Sequence, residues 1–259
     1  MKLNIVPART GAVWAKMGIK TFFRQPLAMA GLFFMFMAVL AVIGSVPVIG
    51  GALSMTLLPA ALVGLMAATR QADSGKFPMP IILLVAFRSG RQQTIAMITL
   101  GVLYAIGGLV VSGIASLVDD GTLAKLGTAV DQKNLEQMIS AGVPASLWVF
   151  LGLSVLLSMA FWYAPALVYW HRVPPVKSVF FSLVACWKNL AALAVYNLVW
   201  ASVLLTVMAV TLVVATLVTG PATVGGAVFP VTMLFIAMSM TSIYFTFRDT
   251  FDVPPEGES

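Results

Sequence analysis

The chain has 259 residues, of which 60% are hydrophobic and 9% charged, and its formal net charge is +6. The mean hydropathy is +1.00. Soluble domains carry about 25% charged residues and under half apolar ones, so disorder, collagen, a coiled coil and an ordinary cytosolic enzyme are excluded, and a polytopic all-α membrane bundle fits.

In chain order, residues 1–25 form a basic segment with Lys2, Arg9, Lys16, Lys20 and Arg24. On a helical projection Arg9, Lys16, Lys20 and Arg24 share one arc of about 80°. Trp14, Ala15, Gly18, Thr21 and Phe22 take the opposite side, while Val13 and Met17 lie near the bases. The pattern predicts a helix lying in the headgroups with its apolar face turned down into lipid. The first apolar run starts at Pro26 and exceeds the roughly 7–15 residues of a cleavable signal core, so it is expected to stay as an anchor.

Six uncharged apolar stretches follow, near residues 26–45, 50–69, 92–117, 145–170, 190–218 and 225–247. Each is long enough to cross about 30 Å of hydrocarbon at 1.5 Å per residue. They are apolar on every face, unlike the alternating strands of a barrel. They pair into hairpins at 26–69, 92–170 and 190–247. The first turns at Val46-Pro47-Val48 with Gly50-Gly51, and the last at Thr219-Gly220-Pro221. The middle hairpin carries a polar outer loop, 118–144, in which 134–140 reads as a short surface helix. Residues 70–91 and 171–189 form interfacial segments, and 248–259 a tail.

Of the fifteen lysines and arginines, all but Lys125 and Lys133 fall on the side of the termini. The positive-inside rule places both termini in the cytoplasm of a bacterial inner membrane. Because these bases border apolar segments, the expected partner is the anionic inner leaflet rather than nucleic acid. Arg9, Lys16, Lys20, Arg24, Arg88, Arg91, Arg172, Lys177 and Lys188 are the candidate lipid contacts. A protein partner or homo-oligomer is left open.

The hairpins share a grammar. A basic, partly apolar stretch leads to an aromatic–base pair (Phe23-Arg24, Phe87-Arg88, Trp187-Lys188), then to two spans ending near Arg70, Arg172 and Arg248. Pro59-Ala60-Ala61-Leu62-Val63 and Pro165-Ala166-Leu167-Val168 also match. Either common ancestry or common anchoring at a membrane edge would produce this repeat. The second and third stretches start at prolines, which suit a first helical turn.

Chemistry is sparse. Within these boundaries the spans hold no Asp, Glu, Lys, Arg or His, which argues against a proton-coupled pump or embedded protease. His171 is the single histidine and Cys186 the single cysteine. His171 reads as an interfacial anchor and Cys186 as a small buried residue. No catalytic set, cofactor motif or metal-ligand spacing is present, so the chain is expected to be non-enzymatic and cofactor-free. Asp249 is expected to pair with the basic rim and pin the last helix. Gly101, Ala105, Gly108, Ser112 and Ser116 form a small-residue ridge, read as intramolecular packing or an oligomer contact. Trp162, Tyr163, Tyr169 and Trp170 read as an aromatic belt. Asn197 needs a partner within the apolar runs. Pro59, Pro165 and Pro230 are kink candidates; the first two each free the carbonyl four residues back.

Several phrases together resemble a family of bacterial six-span inner-membrane proteins, common in betaproteobacteria, to which no activity is assigned. They are Val6-Pro7-Ala8-Arg9 with Gly11 and Trp14, Trp162 to Leu167, Ser182 to Asn189, and Tyr244 to Phe251 with Arg248-Asp249. That family is also similar to the membrane domain attached to some glycerophosphodiester phosphodiesterases. No phosphodiesterase domain is present here, so the resemblance implies a fold and no activity. Two functions follow as expectations. One is a lipid-interacting or accessory membrane protein acting through the basic collar. The other is a channel or facilitator for a neutral or lipidic solute, with a cavity lined by Asn197, Tyr196 and freed carbonyls.

Overall fold

The computed structural model describes residues 2–119, 145–219 and 224–252. Ten helices are described: α1 (Thr10–Arg24), α2 (Pro26–Gly44), α3 (Gly50–Asp73), α4 (Val85–Arg88), α5 (Arg91–Leu117), α6 (Ala145–Trp162), α7 (Ala164–His171), α8 (Pro175–Lys188), α9 (Leu190–Thr219) and α10 (Val224–Thr250). A 3-10 turn, Pro80–Leu84, leads into α4. The only extended pairing among the described residues is an isolated bridge between Leu3 and Phe251. Six helical segments are long and apolar enough to cross a membrane, so the all-α polytopic bundle expected from composition is the fold. The outer loop, its surface helix at 134–140 and most of the Gly220-Pro221 turn lie outside the described residues.

The spans run further at their basic ends than the apolar runs indicate. α3 continues through Arg70 to Asp73, and α10 through Arg248 and Asp249 to Thr250. The fourth span is not one helix. It breaks at Tyr163 into α6 and α7, whereas Pro59 sits inside a continuous α3 and Pro230 inside a continuous α10. Glycine is needed at Gly90, where φ is +104° and the chain turns from α4 into α5.

The segments before the hairpins organise the bundle. Each docks on the hairpin that precedes it: the Pro80 turn and α4 against α3, and α8 against α6 and α7. No hairpin precedes α1, and it packs on the last one, against α9 and α10. The three units thereby close into a ring. The closing contact is tight, because a Cβ added to Gly11 would lie 2.1 Å from the Ala192 carbonyl oxygen, and one on Gly18 would lie 2.3 Å from Ser242 Cβ.

This corrects the expectation for α1. Gly11, Trp14, Ala15, Gly18, Thr21 and Phe22 form its buried face, and that face meets protein, not lipid. An amphipathic pattern records only that one side leaves water, and α9 and α10 offer a closer-fitting surface than a bilayer. The aromatic belt is corrected in part for the same reason. Tyr163 and Trp170 are core residues, while Trp162 and Tyr169 are partly buried against them. On the ridge of α5, a Cβ at Gly101 would lie 1.9 Å from the Thr56 carbonyl oxygen, which is intramolecular packing against α3. Ser112 and Ser116 are exposed and lie off that contact.

The three apolar core clusters draw on the basic halves of the spans, from Phe22, Met29 and Phe33 through Leu65 and Leu167 to Phe247. Toward the opposite ends the helices expose large apolar side chains such as Val42, Trp148, Leu205 and Leu217. Overpacking a tight contact costs about 1–3 kcal/mol, so Gly18→Val is expected to lower the unfolding midpoint of the detergent-solubilised protein. Gly113→Val is the control, since a Cβ there meets nothing within 4 Å and should leave the midpoint nearly unchanged.

Candidate functional site

Three features form at or beneath the basic face: an ion-pair clamp, a repaired helix break and a central cavity. The clamp joins α1, α3 and α10. Arg24 Nη1 lies 3.3 Å from Asp73 Oδ1 and donates to the Asp73 carbonyl at 2.8 Å. Arg248 lies 3.7 Å from the other Asp73 oxygen and 2.9 Å from Asp249 Oδ1. Trp14 Nε1 donates to Asp249 Oδ2 at 2.9 Å, and the Arg248 guanidinium sits 5.0 Å over the Phe245 ring. Asp249 therefore pairs with the rim and pins the last helix, as expected. Asp73 carried no sequence signal, because its partners lie 49 and 175 residues away along the chain.

The break at Tyr163 is bridged by a side chain from α8. The Tyr163 N–H donates to Ser182 Oγ at 2.9 Å, and Ser182 Oγ donates on to the Met159 carbonyl at 2.8 Å. A regular helix would join those two backbone groups directly; a hydroxyl inserted into the ladder opens it into a kink. Cys186 Sγ adds a contact to the same carbonyl at 3.4 Å. The Met159 carbonyl is thus occupied and unavailable to a solute. On the far side of α7, Gln93 Nε2 donates to the Val168 carbonyl. Burial pushes the Cys186 thiol up to about 12, so it stays protonated at neutral pH.

The remaining polar groups are mostly structural. Asn189 is buried; its Oδ1 accepts from the Val6 N–H at 2.9 Å and its Nδ2 donates to the Asn4 carbonyl at 3.1 Å, fixing the segment before α1. Ser242 collects Tyr196 Oη at 2.6 Å and Trp200 Nε1 at 3.2 Å. Asn197 turns outward and donates to the Leu193 carbonyl of its own helix at 2.8 Å. It finds its partner without reaching the bundle centre, and Tyr196 is spent on Ser242, so neither lines the cavity as expected. His171 is partly buried, with Nε2 unpartnered and its ring 6.0 Å from Phe247. Among the described residues no group of histidine, cysteine and carboxylate side chains could hold a metal ion.

The cavity has a volume of about 290 Å³ and lies between the hairpins. Phe33 and Phe36 of α2, Leu58 and Leu62 of α3, Phe161 of α6, and Ile236 and Met240 of α10 form most of its wall. Pro59 and Pro165 are also in that wall, so two of the three kink candidates come together there, and Pro230 does not. At 1.5 Å per residue the lining lies about 10–22 Å below the basic ends of the helices. Between the cavity and those ends lies a packed aromatic layer. Trp170 stacks on Phe247 at 5.3 Å, and Tyr163 meets Phe251 edge-on at 5.7 Å.

All nine candidate lipid contacts are exposed. Arg24 is drawn to Asp73, whereas Arg9, Lys16, Lys20, Arg88, Arg91, Arg172, Lys177 and Lys188 form no ion pair with a described residue. α8 is built inside out. Its buried face is Ser178, Ser182, Ala185 and Cys186, and Val176, Phe180, Leu183 and Trp187 form an exposed apolar stripe, with Lys177 and Lys188 near its two ends.

A probable inner membrane protein of Burkholderia thailandensis is 38% identical over 260 residues, covering 99% of this chain and 96% of that protein. The chain belongs to the family of this inner membrane protein. No family model and no solved structure matches it. The bacterial inner-membrane resemblance read from the sequence therefore holds at the level of the family.

Removing Ser182 should leave Tyr163 N–H and the Met159 carbonyl poorly matched across a kink that Pro165 maintains. Ser182→Ala is expected to cost about 1–3 kcal/mol of stability, read from thermal unfolding. Cys186 should resist maleimide at pH 7–8 in the folded protein and react rapidly once detergent denatures it. Because folding raises its pKa from 9.0, the stability it contributes is fully present below the ordinary thiol range and is lost as pH climbs toward 12.

Proposed function

We propose that this is a non-enzymatic, lipid-handling protein of the bacterial inner membrane, with both termini in the cytoplasm, which receives a lipid hydrocarbon chain in its central cavity. The observation that carries the reading is the cavity itself, whose wall is almost wholly hydrocarbon. Its volume stands at the lower end of the roughly 300–1,000 Å³ usual for ligand pockets. In a bilayer the abundant molecule that fits such a wall is an acyl chain. The aromatic layer between the cavity and the basic ends favours a receiving site over an open aqueous channel. Of the two expected functions, the facilitator of a lipidic solute thus keeps its solute and loses its polar path.

The collar supports the same reading. Eight exposed bases without a described ion-pair partner offer anionic headgroups about 1 kcal/mol each near a charged surface, less as salt rises. The apolar stripe of α8, with Lys177 and Lys188 near its two ends, suits the boundary of headgroups and chains. The collar then sets the depth at which the cavity meets the bilayer interior.

Photo-crosslinking tests the proposal. Full-length protein in vesicles containing a phosphatidylglycerol with a diazirine on its acyl chain is expected to yield adducts on Phe36, Leu58, Leu62 or Ile236. Leu58→Trp, which fills the space, should reduce cavity adducts by about fivefold, the equivalent of roughly 1 kcal/mol. Adducts confined to the outward faces of α9 and α6, unchanged by Leu58→Trp, would overturn it.

A further inference from the structure

Apart from Pro165 of α7, the cavity wall is built by α2, α3, α5, α6 and α10. Four of the junctions between these helices are closed by packing: α2 lies on α3, α3 on α5, α5 on α6, and α10 on α2. A Cβ at Gly107 of α5 would lie 2.6 Å from Leu157 of α6, and Phe33 of α2 packs in one cluster with Ala237 of α10. The fifth junction, α6 with α10, is built differently. It is bridged near the basic end by one large side chain. Trp162 Nε1 donates to Thr246 at 3.2 Å, and the Trp162 ring meets Tyr196 of α9 edge-on at 6.2 Å. Outward of Trp162, no hydrogen bond or ring contact joins α6 to α9 or α10 among the described residues.

Neither flank of this junction is drawn into the core. No described side chain of α6 outward of Leu157, and none of α10 outward of Met233, belongs to or packs on the three core clusters. Ser158 marks where the cavity ends, because it lines the cavity and is exposed. The cavity surface therefore runs out onto the lipid-facing surface at Ser158. Ser158 lies thirteen residues before His171, and Ile236 on the facing wall fourteen before Thr250, so both are about 20 Å from the basic ends. In a bilayer about 30 Å thick that is beyond the middle, where the solvent is the ends of acyl chains and not headgroups.

We propose that the cavity opens sideways into the bilayer between α6 and the third hairpin, and that a lipid enters it by the methyl end of its acyl chain while its headgroup stays outside the wall. This rests on the lipid-chain reading and adds to it the route of entry and the part of the lipid that the site receives. The almost wholly hydrocarbon wall suits a chain end, which asks for no polar partner, and would leave a headgroup without hydrogen bonds. The Trp162–Thr246 bond then forms the basic-side sill of the opening.

The test plugs the opening without filling the cavity. Ser154 continues the stripe of Ser158 and Trp162 one turn outward on α6, and Ser239 continues that of Thr246 and Ile243 on α10; neither lines the cavity. The full chain is reconstituted in vesicles with phosphatidylglycerol carrying a diazirine either near the chain methyl or near the carboxyl. In the wild type the methyl-end probe is expected to give most of the adducts on Phe36 and Ile236. Ser154→Trp and Ser239→Trp should each cut those adducts about fivefold, while Gly152→Trp, on α6 where an added Cβ meets nothing within 4 Å, should change them by less than about twofold. Unfolding midpoints check that the variants are folded, and Ser154→Leu supplies a smaller plug with an intermediate loss. Adducts unchanged in both serine-to-tryptophan variants would overturn the side opening, and equal yields from the two diazirine positions would overturn entry by the chain end. Either result leaves the lipid-chain reading standing. Absence of cavity adducts in the wild type with both probes would overturn that reading and this one together.

Discussion

Hydrocarbon neither donates nor accepts hydrogen bonds, and most of the arrangement described here follows from that. A backbone group freed within a span must be recaptured by protein. At Tyr163 the recapture is made by Ser182, a side chain from a different helix, so one hydroxyl both permits the kink and attaches α8 to the second hairpin. The same constraint turns Asn197 back onto its own helix and gathers Tyr196 and Trp200 on Ser242. Polar groups are scarce in this chain, and nearly all of those in the spans serve as internal connectors.

The segments before the hairpins are the second organising element. In sequence they look like interchangeable basic collars. In three dimensions they have divided the work. α1 is a core helix, with Trp14 and Ala15 buried and its glycines pressed against α9 and α10. α8 buries small and polar residues and presents Phe180 and Trp187 outward. Both orientations keep the bases exposed. Charge at the rim is therefore compatible with opposite choices for the apolar face, and the choice follows what the neighbouring helices offer.

Much of the fold was legible from local pattern. Span number, hairpin pairing and the basic rim all depend on runs of one residue type, and a run is visible without knowledge of neighbours. The pairing of Asp249 with the rim was also legible, since Arg248 is adjacent. What escaped depended on distant contacts. Asp73 answers Arg24 and Arg248, Asn189 holds residues 4 and 6, and Ser182 serves a break 19 residues away. Each is a single polar residue in an apolar setting, a signal that many surface or helix-lining residues share. Pro59 and Pro165 lie in the cavity wall, while its other lining residues looked like ordinary span residues, because which side of a helix borders a void depends on the packing of the other hairpins. Asn197 drew attention for its polarity alone, and its own helix met that need.

The ring is closed by its first helix resting on its last two. During synthesis α1 leaves the ribosome long before α9 and α10 exist, so its buried face has no seat until the third hairpin is in the membrane. Trp14, Gly18 and Phe22 must wait at the bilayer surface, and the Arg24–Asp73–Arg248 clamp can be completed only when Arg248 arrives. A chain stalled before that point would retain an unseated amphipathic helix and an unfinished clamp.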